Sequence, residues 1–197
     1  MMQSFSKSLG LAILVAIGVP AIAQDQSGTN SESSGLSTGT AVEESSDGVG
    51  TPYVKETSGD WEVRCVRTED GNDPCQLYQL LKDQNGTSVA EITVFPLPQG
   101  GQAVAGATII TPLETLLTEQ ITMQIDSGGA KRYPFSFCTR SGCISRIGLL
   151  EEDLAAFRAG NAAQLRIVPV TAPDQNVLLT VSLSGFTAGY NAIGSEN

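Results

Sequence analysis

An antiparallel β-sandwich with one short helix, an all-β fold, is what residues 55–193 predict, and three observations predict it. Apolar and polar residues alternate with a period of two along much of the segment, the mark of half-buried strands. Clusters of Gly, Asn, Asp and Pro punctuate the alternating runs, as turns between short strands do. One stretch departs from that rhythm: Leu150, Leu154 and Phe157 recur at helical spacing.

Trp61, Val63 and Cys65 fall on one face of the first clear strand, with Glu62 and Arg64 on the other. Asp83-Gln84-Asn85-Gly86 then predicts a hairpin, because Asn-Gly supplies the positive φ angles of a tight turn. Asn85-Gly86-Thr87 is also a formal glycosylation triplet, but the turn accounts for the same residues. Ala90, Ile92 and Val94 alternate with Glu91 and Thr93, and loops follow at Pro96 to Gly101. Ile121, Met123 and Ile125 form the next strand, closed by Ser127-Gly128-Gly129. Tyr133, Phe135 and Phe137 predict another. The helix begins near Leu150, with Glu151, Glu152 and Asp153 in its first turn and Gly160 as its stop. Acids at that end are favoured by the helix dipole, so a solvated face explains them better than a metal site. Ala172-Pro173-Asp174 turns the chain into a last strand, Val177 to Leu183. The length from 55 to 193 suits one core and one domain, and residues 194–197 are left as a tail.

The N-terminal part reads differently. Residues 1–23 carry Lys7, an apolar run from Leu9 to Val19, and Ala21-Ile22-Ala23 after Pro20. That is the pattern of a cleavable secretory signal, with an apolar run shorter than the ~20 residues of a membrane span. Gln24, not a cysteine, would then begin the mature chain, so no lipoprotein anchor is expected. Residues 24–54 are rich in Ser, Gly and Thr and hold acids but no base before that boundary. They predict a disordered acidic tether with too little apolar surface to offset its ordering entropy. No transmembrane segment is expected after signal cleavage.

Eleven bases stand against 21 acids, for a net charge of −10. An acidic chain is a poor match for nucleic acid or anionic lipid. There is no histidine, which removes the commonest general base and metal ligand near neutral pH. A serine nucleophile would need another base, and Lys55, Lys82 and Lys131 have no serine at a recognisable catalytic spacing. Cooperating carboxylates from separate strands stay open as a possibility. Neither cofactor nor metal is expected, and no EF-hand-like loop is present.

Four cysteines, Cys65, Cys75, Cys138 and Cys143, allow three pairings. Behind an export signal they imply an oxidising compartment and a disulfide framework. Local pairing closes loops of about 11 and 6 residues, contributing roughly 2.8 and 2.2 kcal/mol, while crossed pairing would contribute roughly 4 kcal/mol for each longer loop. Entropy therefore does not select local pairing, but geometry favours it. Cys138 and Cys143 flank a turn containing Gly142, and Cys65 and Cys75 flank the polar connection Arg67 to Pro74. Arg140 and Arg146 could lower a thiol pKa near Cys143 and support disulfide exchange. The pair lacks a C-x-x-C motif and no helix starts at either cysteine, so staples are the preferred reading. Trp61 is likewise read as a core anchor, not a ligand platform.

Gly59-Asp60-Trp61-Glu62-Val63-Arg64-Cys65 and Cys75-Gln76-Leu77 open an ordered set of short motifs. Pro112-Leu113, Ile125-Asp126, Phe137-Cys138, Gly142-Cys143 and Leu183-Ser184-Gly185-Phe186-Thr187-Ala188 complete it. In this set the domain resembles the invasion-associated locus B family of exported bacterial proteins. It departs from the family at Glu114 to Gln120, where similar proteins carry a Gly-rich, proline-containing segment. The resemblance implies an immunoglobulin-like sandwich, exported to the periplasm or outer membrane surface of a Gram-negative bacterium. It implies no catalytic residue, and the family name refers to invasion of host cells. The expected function is a non-enzymatic interaction module whose partner is an unknown protein or an envelope or host surface component. A periplasmic thiol/disulfide redox helper and a small-ligand carrier are the alternatives.

Overall fold

The computed structural model describes residues 48–194. The predicted signal, most of the predicted tether and residues 195–197 lie outside the described residues. Among the described residues eleven strands form two antiparallel sheets. The larger sheet contains β1 (Pro52–Ser58), β2 (Trp61–Val66), β3 (Cys75–Lys82), β4 (Ser88–Pro96) and β5 (Ala105–Thr111) as a meander in sequence order. It is extended beyond β5 by β9 (Gly142–Leu149) and then β8 (Phe137–Thr139). The smaller sheet runs β11 (Val177–Ser182), β10 (Ala162–Ile167), β6 (Ile121–Ile125), β7 (Lys131–Tyr133). Hairpin connectivity of this kind accounts for the uniformly antiparallel ladders, and the two layers are those of the expected immunoglobulin-like sandwich.

The core is filled by the inward half of each alternating strand. Trp61, Val63 and Cys65 of β2, Leu77 and Leu81 of β3, and Ile92 and Val94 of β4 are buried from one side. Ile121 and Met123 of β6, Leu165 of β10, and Leu179 and Val181 of β11 are buried from the other. Gly106 is needed in β5 because the Phe95 ring lies across it; a Cβ there would sit 2.4 Å from Phe95 Cε2.

Four findings differ from the expectations. First, β1 begins at Pro52, inside the segment assigned to the tether. Its residues are mostly exposed and show no apolar alternation; pairing with β2 and the Tyr53 hydroxyl bond to Asp73 Oδ2 at 2.8 Å hold it. Second, the run from Tyr133 to Phe137 is two strands in different sheets, divided after Tyr133. Pro134 offers no N–H to a ladder, and its carbonyl accepts from Ser145 Oγ at 2.8 Å as the chain crosses between layers.

Third, the domain has two α-helices, not one: α1 (Glu151–Ala159) as expected, and α2 (Phe186–Gly194). Phe186, Gly189, Tyr190 and Ile193 of α2 are buried at helical spacing. Two glycines within nine residues hide that stripe, because glycine lowers intrinsic helix preference by about 1 kcal/mol each. Tertiary packing overrides the deficit. The Phe186 ring meets Trp61 at 5.3 Å and Phe157 at 5.2 Å between centroids, while a Cβ on Gly189 would meet Leu77 Cδ2 at 2.7 Å. Fourth, the acids of α1 do not share a solvated face. Asp153 is buried, accepting from the Leu150 backbone N–H at 3.2 Å and pairing with Lys131 Nζ at 2.5 Å.

The ends of the domain meet at one junction. Gln79 of β3 is buried and its side-chain amide bonds the backbone of Ser182 in both directions, Nε2 donating at 3.0 Å and Oε1 accepting at 2.8 Å. Trp61 Nε1 donates to the same Ser182 carbonyl at 2.8 Å, and Ser182 Oγ donates to Asp60 Oδ2 at 2.6 Å. Beside them Gly59 and Gly185, both at positive φ, let the two chain segments touch. A Cβ on Gly59 would lie 2.4 Å from the Ser184 carbonyl oxygen, and one on Gly185 would lie 2.0 Å from that of Ser58.

Gly185→Ala should therefore cost about 2–4 kcal/mol in urea denaturation, combining left-handed strain with a backbone clash. Gly86→Ala shares the positive φ but has nothing within 4 Å of the new Cβ, so it should cost only about 1–2 kcal/mol. Equal losses at the two positions would refute the close-approach account. Gln79→Leu leaves the Ser182 edge groups without their amide partner and should cost about 2–3 kcal/mol by the same measurement.

Candidate interaction surface

The two disulfides sit at strand connections. Cys65 and Cys75 are opposed in the β2–β3 ladder with Cα atoms 4.1 Å apart, and Cys138 and Cys143 are opposed in β8–β9 at 4.0 Å. All four cysteines are bonded. Cys143 is buried and Cys138 exposed, and Arg146 is engaged over the Phe137 ring at 5.3 Å. Trp61 is fully buried, its indole spent on Ser182 and Phe186. None of these five residues presents a reactive group outward as a thiol or an open aromatic platform.

The outer face beside Cys65–Cys75 has a different character. Pro52, Val66, Pro74, Phe95 and Pro96, with Arg64 and Gln76, line an open groove of about 560 Å³. That volume falls within the roughly 300–1,000 Å³ range of ligand sites. The groove is predominantly apolar, and its charged group, Arg64, is held in place by neighbouring side chains. The Arg64 guanidinium lies 3.1 Å above the Tyr78 ring centroid while its Nε donates to Glu62 Oε2 at 2.8 Å. The Tyr78 hydroxyl donates to Glu91 Oε2 at 3.0 Å. Burial, and then the Glu91 carboxylate, push the Tyr78 phenol above its usual pKa. The side chains alternating outward from β2 to β4 therefore form a connected row, Glu62–Arg64–Tyr78–Glu91. Sequence alternation placed Glu62, Arg64 and Glu91 outward but gave no sign that Arg64 stacks on Tyr78.

One rim of this surface is the connection between β2 and β3. Asp73 Oδ1 accepts from the Thr68 backbone N–H at 2.7 Å, and its Oδ2 accepts from Tyr53. These bonds, the Thr68 N–H first, hold the Asp73 carboxyl below its usual pKa. Asp70 is lowered as well, chiefly by the Thr68 hydroxyl.

A smaller pocket of about 210 Å³ lies between α1 and the β6–β7 hairpin, with Met123, Phe157 and Tyr133 against Lys131 and Asp153. The Asp153 hydrogen bond is the leading cause that raises the Lys131 pKa, the direction opposite to that needed by a lysine base. Among the described residues no group of three or more His, Cys, Asp or Glu side chains is placed to hold a metal ion. No helix among them is long and apolar enough to cross a membrane. The segment that departs from the family pattern, Glu114 to Gln120, packs against the connection following β10. Leu116 N–H donates to Val168 O and Val170 N–H donates to Glu114 O, both at 2.7 Å, before a 3-10 turn at Leu117–Glu119.

Because its pKa is lowered on folding, Asp73 adds stability above the unfolded value of about 3.9, and this is lost as pH falls through the lower folded value. Urea midpoints measured from about pH 6 to pH 2 should fall on the acid side, and Asp73→Asn should make that fall shallower. An unchanged acid limb in the variant would remove Asp73 from this role.

The chain matches known proteins from the buried tryptophan to the end of α2. The model of the family described as Invasion associated locus B (IalB) protein matches residues 61–194. An invasion protein B homolog of Brucella abortus strain 2308 is 26% identical over 144 residues, covering 73% of this chain and 81% of the relative. A homolog from Brucella abortus biovar 1 strain 9-941 matches with the same 26% identity and coverage. The crystal structure of invasion associated protein B from Bartonella henselae superposes with a TM-score of 0.61 at 25% identity, covering 71% of this chain and 94% of that one. The extent of the family match shows that the chain belongs to the invasion associated locus B family.

Proposed function

We propose that the protein is a non-enzymatic, exported interaction module of the bacterial envelope, which docks a protein or an envelope or host surface component. The observation that carries this reading is the apolar groove beside Cys65–Cys75, bordered by Pro74 of the β2–β3 connection and by Arg64, which is held over the Tyr78 ring. Interaction surfaces draw affinity from such apolar, already ordered patches. Family membership and relatives named as invasion protein B homologs support an invasion-associated role, and host-cell association is part of the proposal. Two disulfides are supported most simply by an oxidising compartment, in keeping with export to the periplasm or the outer membrane surface.

Small-ligand carriage is a second reading, favoured by the pocket between α1 and the β6–β7 hairpin. Its volume, about 210 Å³, limits any occupant to something smaller than the usual ligand-site range.

Photo-crosslinking residues placed at Val66 and Gln76 in the intact envelope should capture one and the same macromolecule. The same probe at Gln164, exposed on the other sheet, should not capture it. Val66→Asp should abolish capture with the urea midpoint retained. Absence of an adduct at both groove positions, or equal capture from Gln164, would overturn the groove assignment. Quantitative thiol labelling of the native protein should find no free thiol, and ready reduction of Cys138–Cys143 by glutathione would instead favour a redox helper.

A further inference from the structure

The smaller sheet ends in an edge whose geometry points to a specific occupant, on a part of the molecule separate from the groove. Edge strands that keep regular, unpaired backbone groups are templates for strand addition, and proteins usually blunt them. The other three edges are blunted here. β1 carries a register irregularity between Val54 and Glu56 and presents Lys55 and Glu56. β7 and β8 are three residues each, and β7 presents Lys131 and Arg132. β11 has neither defence: it is six residues of regular, uncharged sequence, Val-Leu-Leu-Thr-Val-Ser.

Which backbone groups of β11 are open follows from the bonds at its end. Leu183 N–H donates to Asn161 O, continuing the ladder toward β10. Ser182, one residue earlier, directs its N–H and C=O the opposite way, to the Gln79 amide. Backbone direction alternates along a strand, so Leu178 and Thr180 aim their N–H and C=O groups at the same open side as Ser182. Both residues are exposed, and among the described residues no backbone bond fills that side at either position. Gln79 therefore acts as a side-chain strand residue that plugs the edge at Ser182 and leaves a window of two residues.

We propose that this window pairs with the same window of a second copy, joining two β11 strands antiparallel about a two-fold axis. With Leu179 opposite Leu179 of the second copy, Leu178 faces Thr180 and Thr180 faces Leu178. Two N–H and two C=O groups from each copy then form four bonds with none left over. The fit extends to the ends. In this register the position opposite Ser182 is Asn176, where β11 has not yet begun, so the second strand stops where the Gln79 plug stands. A longer foreign strand would run into Gln79 and Trp61. The uncharged edge also lets two copies approach despite a net charge of −10 on each chain, where charged edges would repel. With so few contacts the association is weak and concentration-dependent.

Sedimentation equilibrium of the purified protein between about 5 and about 500 µM should show the mass rising from monomer toward dimer, the weak regime expected of a small interface. Hydrogen exchange over the same range should slow selectively at the Leu178 and Thr180 amides, with Leu179 unchanged. Thr180→Pro removes an edge N–H without touching a bond to β10, and proline is tolerated at strand edges; it should leave a monomer. Leu178→Lys places like charges across the axis and should do the same, deciding the matter if the proline variant fails to fold. A wild-type protein that stays monomeric throughout overturns the proposal. So does a dimer that both variants retain, or a monomer that binds a foreign peptide strand on β11.

Discussion

The hydrogen-bonded contact between Gln79 and Ser182 is the constraint on which this domain's closure rests. A buried amide must find partners or lose about 1–3 kcal/mol for each orphaned group; Gln79 Nε2 donates to the Asp60 and Ser182 carbonyls, and Oε1 accepts from the Ser182 N–H of β11. Once β11 is there, Trp61 completes the Ser182 carbonyl and the chain turns directly into α2. Phe186 then has a defined place against Trp61 and Phe157, and Gly189 can settle on Leu77. The non-directional burial of apolar surface would permit the two sheets to slide; the directional bonds at Ser182 set their register.

That arrangement explains why some elements were legible in the sequence and others were not. β2, β4, β6 and β11 bury one face and expose the other, so alternation reports them faithfully. β5 is buried at Ala105, Gly106 and Ala107 in succession, because a neighbouring Phe95 covers its outer side, and its pattern loses the period. β1 fails for the opposite reason: an edge strand that buries almost nothing leaves no apolar record. α2 has the helical stripe, yet its glycines suit close packing at the cost of helix preference. In each case tertiary contact outweighs local signal. The groove was not legible at all, because Pro52, Pro74 and Pro96 come from three separate parts of the chain and converge only after the meander forms.

The disulfides contribute to closure in a different way from Gln79. Each links residues already opposed across a hairpin, so each removes disorder from the unfolded chain more than it adds a contact to the folded one. Their placement matters for the surface nonetheless. Cys65–Cys75 ties the ends of a connection whose Asp73 carboxylate organises Thr68 and Tyr53, and the connection contributes Pro74 to the groove. An ordered wall lowers the entropy lost when something docks against it. Rigidity at this loop is what the proposed docking role would draw on.

The motifs that carry the family likeness divide along the same line. Gly59-Asp60-Trp61 and Leu183-Ser184-Gly185-Phe186 are far apart in sequence and touch at the junction, and the cysteine motifs mark the two stapled hairpins. They identify how the sandwich closes. The residues that line the groove are, apart from Arg64, the cysteines and Gln76, outside those motifs. Members with the same closure can therefore present different outer faces, and a shared fold does not fix a shared partner. A partner of the kind proposed would be sought through Val66, Phe95 and the surrounding prolines, whose identity the closure of the fold leaves free.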